Sequence, residues 1–255
     1  MSATETNDRF ARQGDLVPQD ALAGVAVVVV GVGAVGRQVA LQLAPIGLRR
    51  MHLVDFDTIE MTNVTTQGYL PEDIGEFKVD IMQNDCECCV PEEEGFDCVV
   101  HNERITAALL DKIVAGNRPR KTVVFSCVDS IETRAKLVSW VHELGLPLMV
   151  DGRMRGEVLR VLTATVDSYD AYRATLFAGS EALDGRCTAR VTLYGASILA
   201  GLMVHQFTRW LRSGPLDNDL MVTLSDSQMF VPGPEASFDA LVESPDAIHE
   251  GTVAP

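Results

Sequence analysis

Residues 25–36 read VAVVVVGVGAVG and carry the clearest structural signal in the chain. The first half, Val25–Val30, is continuously apolar and mostly β-branched, which is typical of a central parallel strand covered on both faces. The second half places Gly31, Gly33 and Gly36 at the G-x-G-x-x-G spacing, directly before a helical apolar pattern. This order of strand, glycine turn and helix predicts a nucleotide-binding α/β sheet.

Each part of this fingerprint has a physical role. Gly31 makes the turn, Gly33 lets the backbone approach a phosphate, and Gly36 lets the helix pack closely on the strand. The free N–H groups at the start of the helix attract an anion. Asp55 follows the next strand, nineteen residues beyond Gly36, and is placed to accept ribose hydroxyls. The fingerprint alone does not distinguish NAD, FAD and ATP, and a glycine turn without a ligand is the alternative interpretation.

The rest of the chain alternates strands with helices, which predicts right-handed crossovers. We therefore expect a Rossmann-like α/β fold, with a mostly parallel sheet flanked by helices and an antiparallel C-terminal extension of the sheet. The segment 58–75 is expected to be a long loop with a functional role. The predicted helices are 34–46, 76–88, 106–115, 131–144 and an apolar, buried 190–211, and the predicted strands are 25–30, 52–54, 97–101, 122–126, 148–150, 157–166 and 220–224.

Composition limits the class of protein. The chain has 255 residues, 47% of them hydrophobic, and a formal net charge of −15, which excludes a disordered chain and argues against nucleic acid or an anionic membrane as a partner. We expect an N-terminal segment 1–20, a single nucleotide-binding domain 21–230 and a flexible tail 231–255. The sequence shows no signal-peptide pattern and no membrane span, which predicts a cytoplasmic protein.

The segment after the second strand narrows the choice of nucleotide. Residues 55–67, DFDTIEMTNVTTQ, and residues 73–78, DIGEFK, resemble the ThiF/MoeB family, the bacterial relatives of ubiquitin-activating enzymes. Four further segments are similar to family motifs, and together the matches span residues 8–212. These segments are RFARQ at 9–13, CVDS at 127–130, RMRG at 153–156 and GRC at 185–187.

The resemblance implies an activity, cofactors and partners. Members of this family bind ATP and Mg²⁺ and join AMP to the C-terminal glycine of a small ubiquitin-fold carrier protein, with release of pyrophosphate. A homodimer is also implied, because the family arginine that corresponds to Arg12 reaches into the ATP site of the neighbouring subunit. The residues that the resemblance assigns to ATP are Gly31, Gly33, Ala34, Asp55, Asp57, Asn63, Thr66, Lys78, Asp129 and Ser130.

The resemblance also gives four residues candidate catalytic roles. Lys78 would meet the phosphate charge, Asp129 would bind Mg²⁺, and Arg12 would act across the dimer. Cys187 is a possible nucleophile, with a small buried thiol as its alternative. The alternatives are a solvated helix lysine for Lys78, a helix N-cap for Asp129 and a surface arginine for Arg12.

The sequence departs from the family at several positions. Thr66 stands where the family has an arginine, which removes a bidentate phosphate donor and predicts slow adenylation. Ala34 replaces a frequent glycine, and Ser130 replaces an asparagine. Arg153 or Arg155 is a candidate source of the missing positive charge. The zinc cysteines of the family are absent, so no zinc site is expected.

These departures leave two other functions open. One is a family member that binds nucleotide or a carrier as a scaffold, without chemistry. The other is an NAD-dependent oxidoreductase, which fits the glycine fingerprint but leaves the later motifs unexplained.

Overall fold

The computed structural model describes residues 9–176 and 191–232 and contains an eight-stranded sheet in the order β3-β2-β1-β4-β5-β6-β7-β8. Strands β1 to β5 are parallel, and β5 to β8 are antiparallel. This architecture confirms the predicted fold class. The strands are β1 (Val25–Val30), β2 (Arg50–Val54), β3 (Asp97–His101), β4 (Lys121–Ser126), β5 (Leu148–Arg155), β6 (Val158–Ala164), β7 (Asp219–Thr223) and β8 (Gln228–Phe230).

Helices cover both faces of the sheet, so β1 is buried along its whole length. Helices α2, α4 and α8 pack on the face of Val27 and Val29, whereas α5, α6 and α7 pack on the face of Val28 and Val30. Two apolar layers on a central sheet explain why β1 reads as an unbroken apolar run. The helices are α1 (Gln19–Ala23), α2 (Ala34–Leu43), α3 (Met61–Gln67), α4 (Lys78–Glu87), α5 (Ala107–Asn117), α6 (Ile131–Glu143), α7 (Tyr169–Ala174) and α8 (Leu193–Leu211).

The strand order reverses at β1. The chain passes outward from β1 through β2 to β3, and it then returns to β4 on the other side of β1. The loops that follow β1 and β4 therefore lead from the carboxyl edge of the sheet to α2 and α6 on opposite faces. In open α/β sheets, ligands bind at such a switch point.

The structure corrects the sequence prediction in the region 58–75, which is not a simple loop. It contains α3 and a short 3-10 turn at Pro71–Asp73. Helix α3 has three threonines and little apolar periodicity, so the sequence pattern does not reveal it. A capping box supports it instead, because Glu60 N donates to Asn63 Oδ1 at 2.8 Å.

The C-terminal half of the sheet and α8 also differ from the prediction. Strand β5 extends to Arg155 and pairs with β6, and β8 follows the strand that was expected to be the last one. Helix α8 is not buried on all sides, since Leu193, Tyr194 and Ile198 are exposed. None of the helices within residues 9–176 and 191–232 is long and apolar enough to cross a membrane.

Candidate active site

The glycine turn after β1 is tightly packed at two of its three glycines. Gly31 has a positive φ of 86°, and a Cβ placed on it would lie 2.8 Å from Cys127 O. A Cβ on Gly36 would lie 1.8 Å from Gly31 O, so α2 can approach the turn only because position 36 has no side chain. These contacts agree with the roles predicted for the two glycines.

Gly33 is different, because a Cβ there would meet a side chain at ordinary van der Waals distance, and its nearest neighbours outside its own helix and the adjoining residues include no backbone atom. The three atoms nearest to a Cβ placed on Gly33 all belong to the carboxamide of Gln67, at 3.8–3.9 Å. Gly33 is the N-cap of α2 and supplies no side-chain cap, and Ala34 is the first residue of the helix. The first N–H groups of α2 therefore have no side-chain cap, which suits the binding of a phosphate.

Two side chains hold the tip of the turn at Val32. Asp55 Oδ2 accepts a hydrogen bond from Val32 N at 2.7 Å, and Tyr69 OH donates to Val32 O at 2.7 Å. The other oxygen of Asp55 accepts from Asp57 N at 2.9 Å. Each carboxylate oxygen retains acceptor capacity, so Asp55 can shape the turn and still accept a ribose hydroxyl.

Lys78 and Asp57 form an ion pair beside the turn. Lys78 Nζ lies 3.1 Å from Asp57 Oδ2, and the Lys78 side chain is 7% exposed whereas that of Asp57 is 48% exposed. The backbone reinforces this pair, because Lys78 N donates to Asp57 O and Thr58 bridges to Phe77. The buried ammonium group is thus fixed beside the carboxyl end of β2, unlike the solvated lysine of the alternative interpretation.

Asp129 lies in the loop after β4, at the same edge of the sheet. The N-cap role considered for Asp129 belongs to Ser130, whose Oγ accepts from Thr133 N at 3.3 Å. Asp129 is exposed, and its carboxylate makes no ion pair with the residues that the structure describes. An unpaired carboxylate at this position suits Mg²⁺, which is commonly held by one or two carboxylates and the phosphates of a nucleotide.

A buried charge cluster supports the Asp129 loop from behind. Asp151 is fully buried and accepts from Arg134 Nε at 2.9 Å and from Arg153 Nε at 2.8 Å. Burial alone would raise the pKa of Asp151, but the two guanidinium groups outweigh it and lower that pKa. Arg134 also donates to Asp129 O at 3.2 Å, so the cluster restrains the loop.

This cluster corrects one expectation about the missing positive charge. Arg153 is 6% exposed, and besides Asp151 it donates to Thr175 O at 2.9 Å. Its guanidinium group is therefore engaged within the protein and does not replace the family arginine. Arg155 is partly exposed and also has an interaction partner.

Two of the predicted ATP-binding residues bond within α3. Asn63 Oδ1 caps the helix as described above, and Thr66 Oγ1 donates to Thr62 O at 2.7 Å. The Thr66 hydroxyl hydrogen is therefore used inside the helix. ATP contacts by these two side chains remain predictions, and the structure shows that both have a local role.

Arg12 lies far from the glycine turn of its own chain. Its neighbour Gln13 donates to Ile46 O at 2.9 Å, and Ile46 follows α2 at the amino edge of the sheet. Helix α2 spans about 15 Å between this edge and the glycine turn. Arg12 is exposed there, as both the role in another subunit and the alternative of a surface arginine predict. Cys187 and the tail from residue 233 lie outside the described residues.

Sequence reasoning did not give roles to Gln67, Tyr69, Arg134 and Asp151. In the sequence, Gln67 was noted only as the last residue of the family-like segment 55–67. Tyr69 contacts Val32 across 37 residues, and Arg134 contacts Asp151 across 17. No local pattern marks such pairs. The only hint in the sequence was that Arg134 follows the CVDS segment by four residues, which is about one helical turn.

Comparisons with known proteins give a family and a fold. The sequence profile of the ThiF family matches residues 6–239. Ubiquitin-like modifier-activating enzyme 5 from Xenopus laevis is 31% identical over 134 residues, which cover 49% of this chain and 33% of that protein. The enzyme of the same name from Oryza sativa subsp. japonica is 25% identical over 215 residues, covering 78% of this chain and 51% of that protein. The matches therefore span about half or less of these relatives.

Solved structures share the fold at low sequence identity. PaaA superposes with a TM-score of 0.68 and 18% identity, covering 90% of this chain and 83% of that chain. MccB of E. coli, solved with AMPCPP and MccA, has a TM-score of 0.68 and 15% identity, covering 91% of this chain and 73% of that chain.

Proposed function

The chain belongs to the ThiF family, and from this premise we propose that it is an ATP-dependent adenylyltransferase that activates the C-terminal glycine carboxylate of a ubiquitin-like or sulfur-carrier protein. One observation carries the proposal. The N-terminus of α2 at Gly33, which has no side-chain cap, lies at the edge of the sheet that also holds Asp55, Lys78 and Asp129. These residues provide anion-binding N–H groups, a ribose acceptor, a cation and a free carboxylate.

The reaction needs mainly positioning and charge stabilisation. An oxygen of the carrier carboxylate attacks the α-phosphorus of ATP, an acyl–phosphate bond forms, and the bond to pyrophosphate breaks with its electron pair. Lys78 offsets the negative charge that develops on the phosphates, and Asp57 holds the ammonium group in place at 3.1 Å. Asp129 would hold Mg²⁺, which when bound would neutralise phosphate charge.

ATP–pyrophosphate exchange in the presence of a carrier tests the proposal. We expect exchange by the unchanged protein and a loss of about 100-fold or more in Lys78→Ala and in Asp129→Ala, since each removes charge stabilisation of the transition state. Lys112→Ala and Asp111→Ala are matched controls, because both residues are exposed on α5, away from the site. Exchange that survives in both site variants would contradict the assigned roles.

The partner and the pathway are part of the same proposal. The relatives are named for activating a ubiquitin-like modifier, and MccB was solved with MccA, so a protein or peptide carboxylate is the supported class of acceptor. We further propose a cytoplasmic homodimer in which Arg12 serves the neighbouring subunit, and a possible thioester role for Cys187. Mass spectrometry of the carrier after reaction would identify an adenylate or a thioester.

A second candidate is a nucleotide-binding scaffold without chemistry. Thr66 favours it, because its side chain carries no charge and its hydroxyl hydrogen is bonded to Thr62 O. This candidate predicts that ATP raises the melting temperature without any exchange, and that Thr66→Arg does not restore turnover. Exchange by the unchanged protein would exclude it.

Family membership does not support the NAD-dependent alternative, which a fluorescence titration with NADH tests.

A further inference from the structure

Gln67 lies opposite Gly33, beside the N-terminus of α2. It is the last residue of α3, and its Nε2 and Oε1 both lie 3.8 Å from the position that a Gly33 Cβ would occupy. Apart from the chain neighbours of Gly33 and the backbone of its own helix, no atom lies closer to that position. A phosphate bound by the first N–H groups of α2 would therefore lie beside the Gln67 carboxamide.

The Gln67 carboxamide has no hydrogen-bond partner among residues 9–176 and 191–232. Its Oε1 is buried and unpaired, and its Nε2 donates to none of the described residues. A buried polar atom without a partner destabilises the folded state. A phosphate oxygen only accepts hydrogen bonds, so it would pair with Nε2 and not with Oε1.

The residues around Gln67 fix it relative to the turn. Gly68 ends α3 with a positive φ of 82°, and Tyr69 then binds Val32 O at 2.7 Å. The guanidinium group of Arg37 lies 4.5 Å above the Tyr69 ring and pairs with Asp85 at 2.6 Å. The end of α3 is thus held on the glycine turn by contacts that leave the Gln67 amide unused. Thr66, one residue earlier, bonds within its own helix.

We propose that Gln67 is the phosphate-binding side chain of α3, and that its Nε2 donates a hydrogen bond to a phosphate oxygen of ATP at Gly33. This inference rests on the proposed function. Gln67 would take over the contact that the family arginine makes, whereas Thr66 would not contribute. A neutral amide gives a weaker bond to an anion than a guanidinium group does and adds no charge.

Calorimetric titration of ATP, AMP and adenosine tests this contact. Gln67→Met keeps the length of the side chain but removes the donor, and we expect the Kd for ATP to rise about 3- to 10-fold, as for the loss of one hydrogen bond. Gln67→Glu adds a negative charge and should raise the Kd further. The Kd for adenosine should stay unchanged in both variants. Gln42→Met, near the end of α2 that is farther from the glycine turn, is the matched control and should leave the Kd for ATP within about 2-fold.

Several outcomes would overturn the inference. An unchanged Kd for ATP in Gln67→Met would show that the amide makes no contact with phosphate. An equal loss of affinity for adenosine would show that Gln67 only supports the turn. If Gln67→Met fails to fold, Gln67→Glu and Gln67→Asn provide the same comparison of ATP with adenosine. If ATP binding depends on Gln67 but no pyrophosphate exchange occurs, the proposed function is refuted and the role of Gln67 is not. If the unchanged protein does not bind ATP, both the proposed function and the role of Gln67 are refuted.

Discussion

Asp55 shows how one carboxylate combines structural and binding roles. The sequence predicted a ribose acceptor at this position, and the structure adds two backbone bonds, from Val32 N at 2.7 Å and from Asp57 N at 2.9 Å. The side chain therefore shapes the glycine turn before any ligand binds. Substitutions of Asp55 would disturb both functions, so Lys78 and Asp129 are better single-residue probes of the chemistry.

At the residue scale, Asp151→Asn tests the buried charge cluster. The substitution leaves the guanidinium groups of Arg134 and Arg153 buried without their counter-charge, and we expect the free energy of unfolding to fall by about 3–5 kcal/mol. Urea unfolding measures this change. Asp170→Asn is the control, because Asp170 pairs with Arg173 at a site where its side chain is 98% exposed, and no measurable change is expected. Equal effects of the two substitutions would contradict the role of burial.

His52 gives a prediction about pH. Burial lowers the pKa of His52 to about 4, and its Nδ1 and Nε2 are hydrogen-bonded to His101 Nε2 at 3.0 Å and Asn117 Oδ1 at 2.9 Å. An unfolded histidine binds a proton near pH 6.5, so between pH 6.5 and 4 the unfolded state holds more protons and the free energy of unfolding falls as the pH drops.

On acidification, the free energy of unfolding of His52→Gln should fall less steeply than that of the unchanged protein. We expect the two slopes to differ by about 1 kcal/mol per pH unit between pH 6 and 4.5. Urea unfolding at several pH values gives this slope, and His142→Gln, at an exposed histidine, is the control. If the slope of His52→Gln matches that of the unchanged protein, His52 is not the group that titrates.

At the scale of the element, the junction of β1 and α2 depends on a missing side chain. Gly36→Ala would place a Cβ 1.8 Å from Gly31 O and 3.1 Å from Cys127 Cβ. We expect α2 to move away from the turn, with a loss of about 3 kcal/mol in the free energy of unfolding and weaker ATP binding.

Gly116→Ala is the matched control for this substitution. Gly116 lies in α5, and a Cβ there would meet nothing within 4 Å. Alanine favours the helix over glycine, so the free energy of unfolding should rise by about 0.5–1 kcal/mol. Thermal unfolding of the two variants gives the comparison, and a stable Gly36→Ala protein with unchanged ATP affinity would disprove the close-packing role.

At the scale of the whole molecule, Arg12 and the glycine turn lie at opposite edges of one chain. A mixture of Arg12→Ala and Lys78→Ala chains tests whether the site is shared between subunits. In a mixed dimer, one site would combine an intact Lys78 with an intact Arg12 from the partner, so we expect about a quarter of the unchanged activity after random exchange of subunits. Random exchange makes half of the dimers mixed, and each mixed dimer has one of its two sites intact. The intact sites are therefore one quarter of the total.

Each variant alone should be nearly inactive, and this is the control for the mixing experiment. If the mixture exchanges pyrophosphate no faster than the separate variants, then Arg12 acts in the site of its own chain or has no role in the mechanism. Size-exclusion chromatography with light scattering measures the dimer directly.

The sequence by itself determined the alternating α/β fold, the glycine turn, the family and the positions of Asp55, Lys78 and Asp129. Local periodicity and short motifs indicate these features, and both depend on residues that are close together in the chain. Periodicity failed at α3, because a capping box rather than an apolar face supports that helix. Only the tertiary structure decided that Ser130 rather than Asp129 caps α6, that Arg153 is paired with Asp151, and that Gln67 faces Gly33. The reason is physical: such contacts join residues that are distant in the chain, and they depend on how close the folded elements pack, which no local pattern encodes.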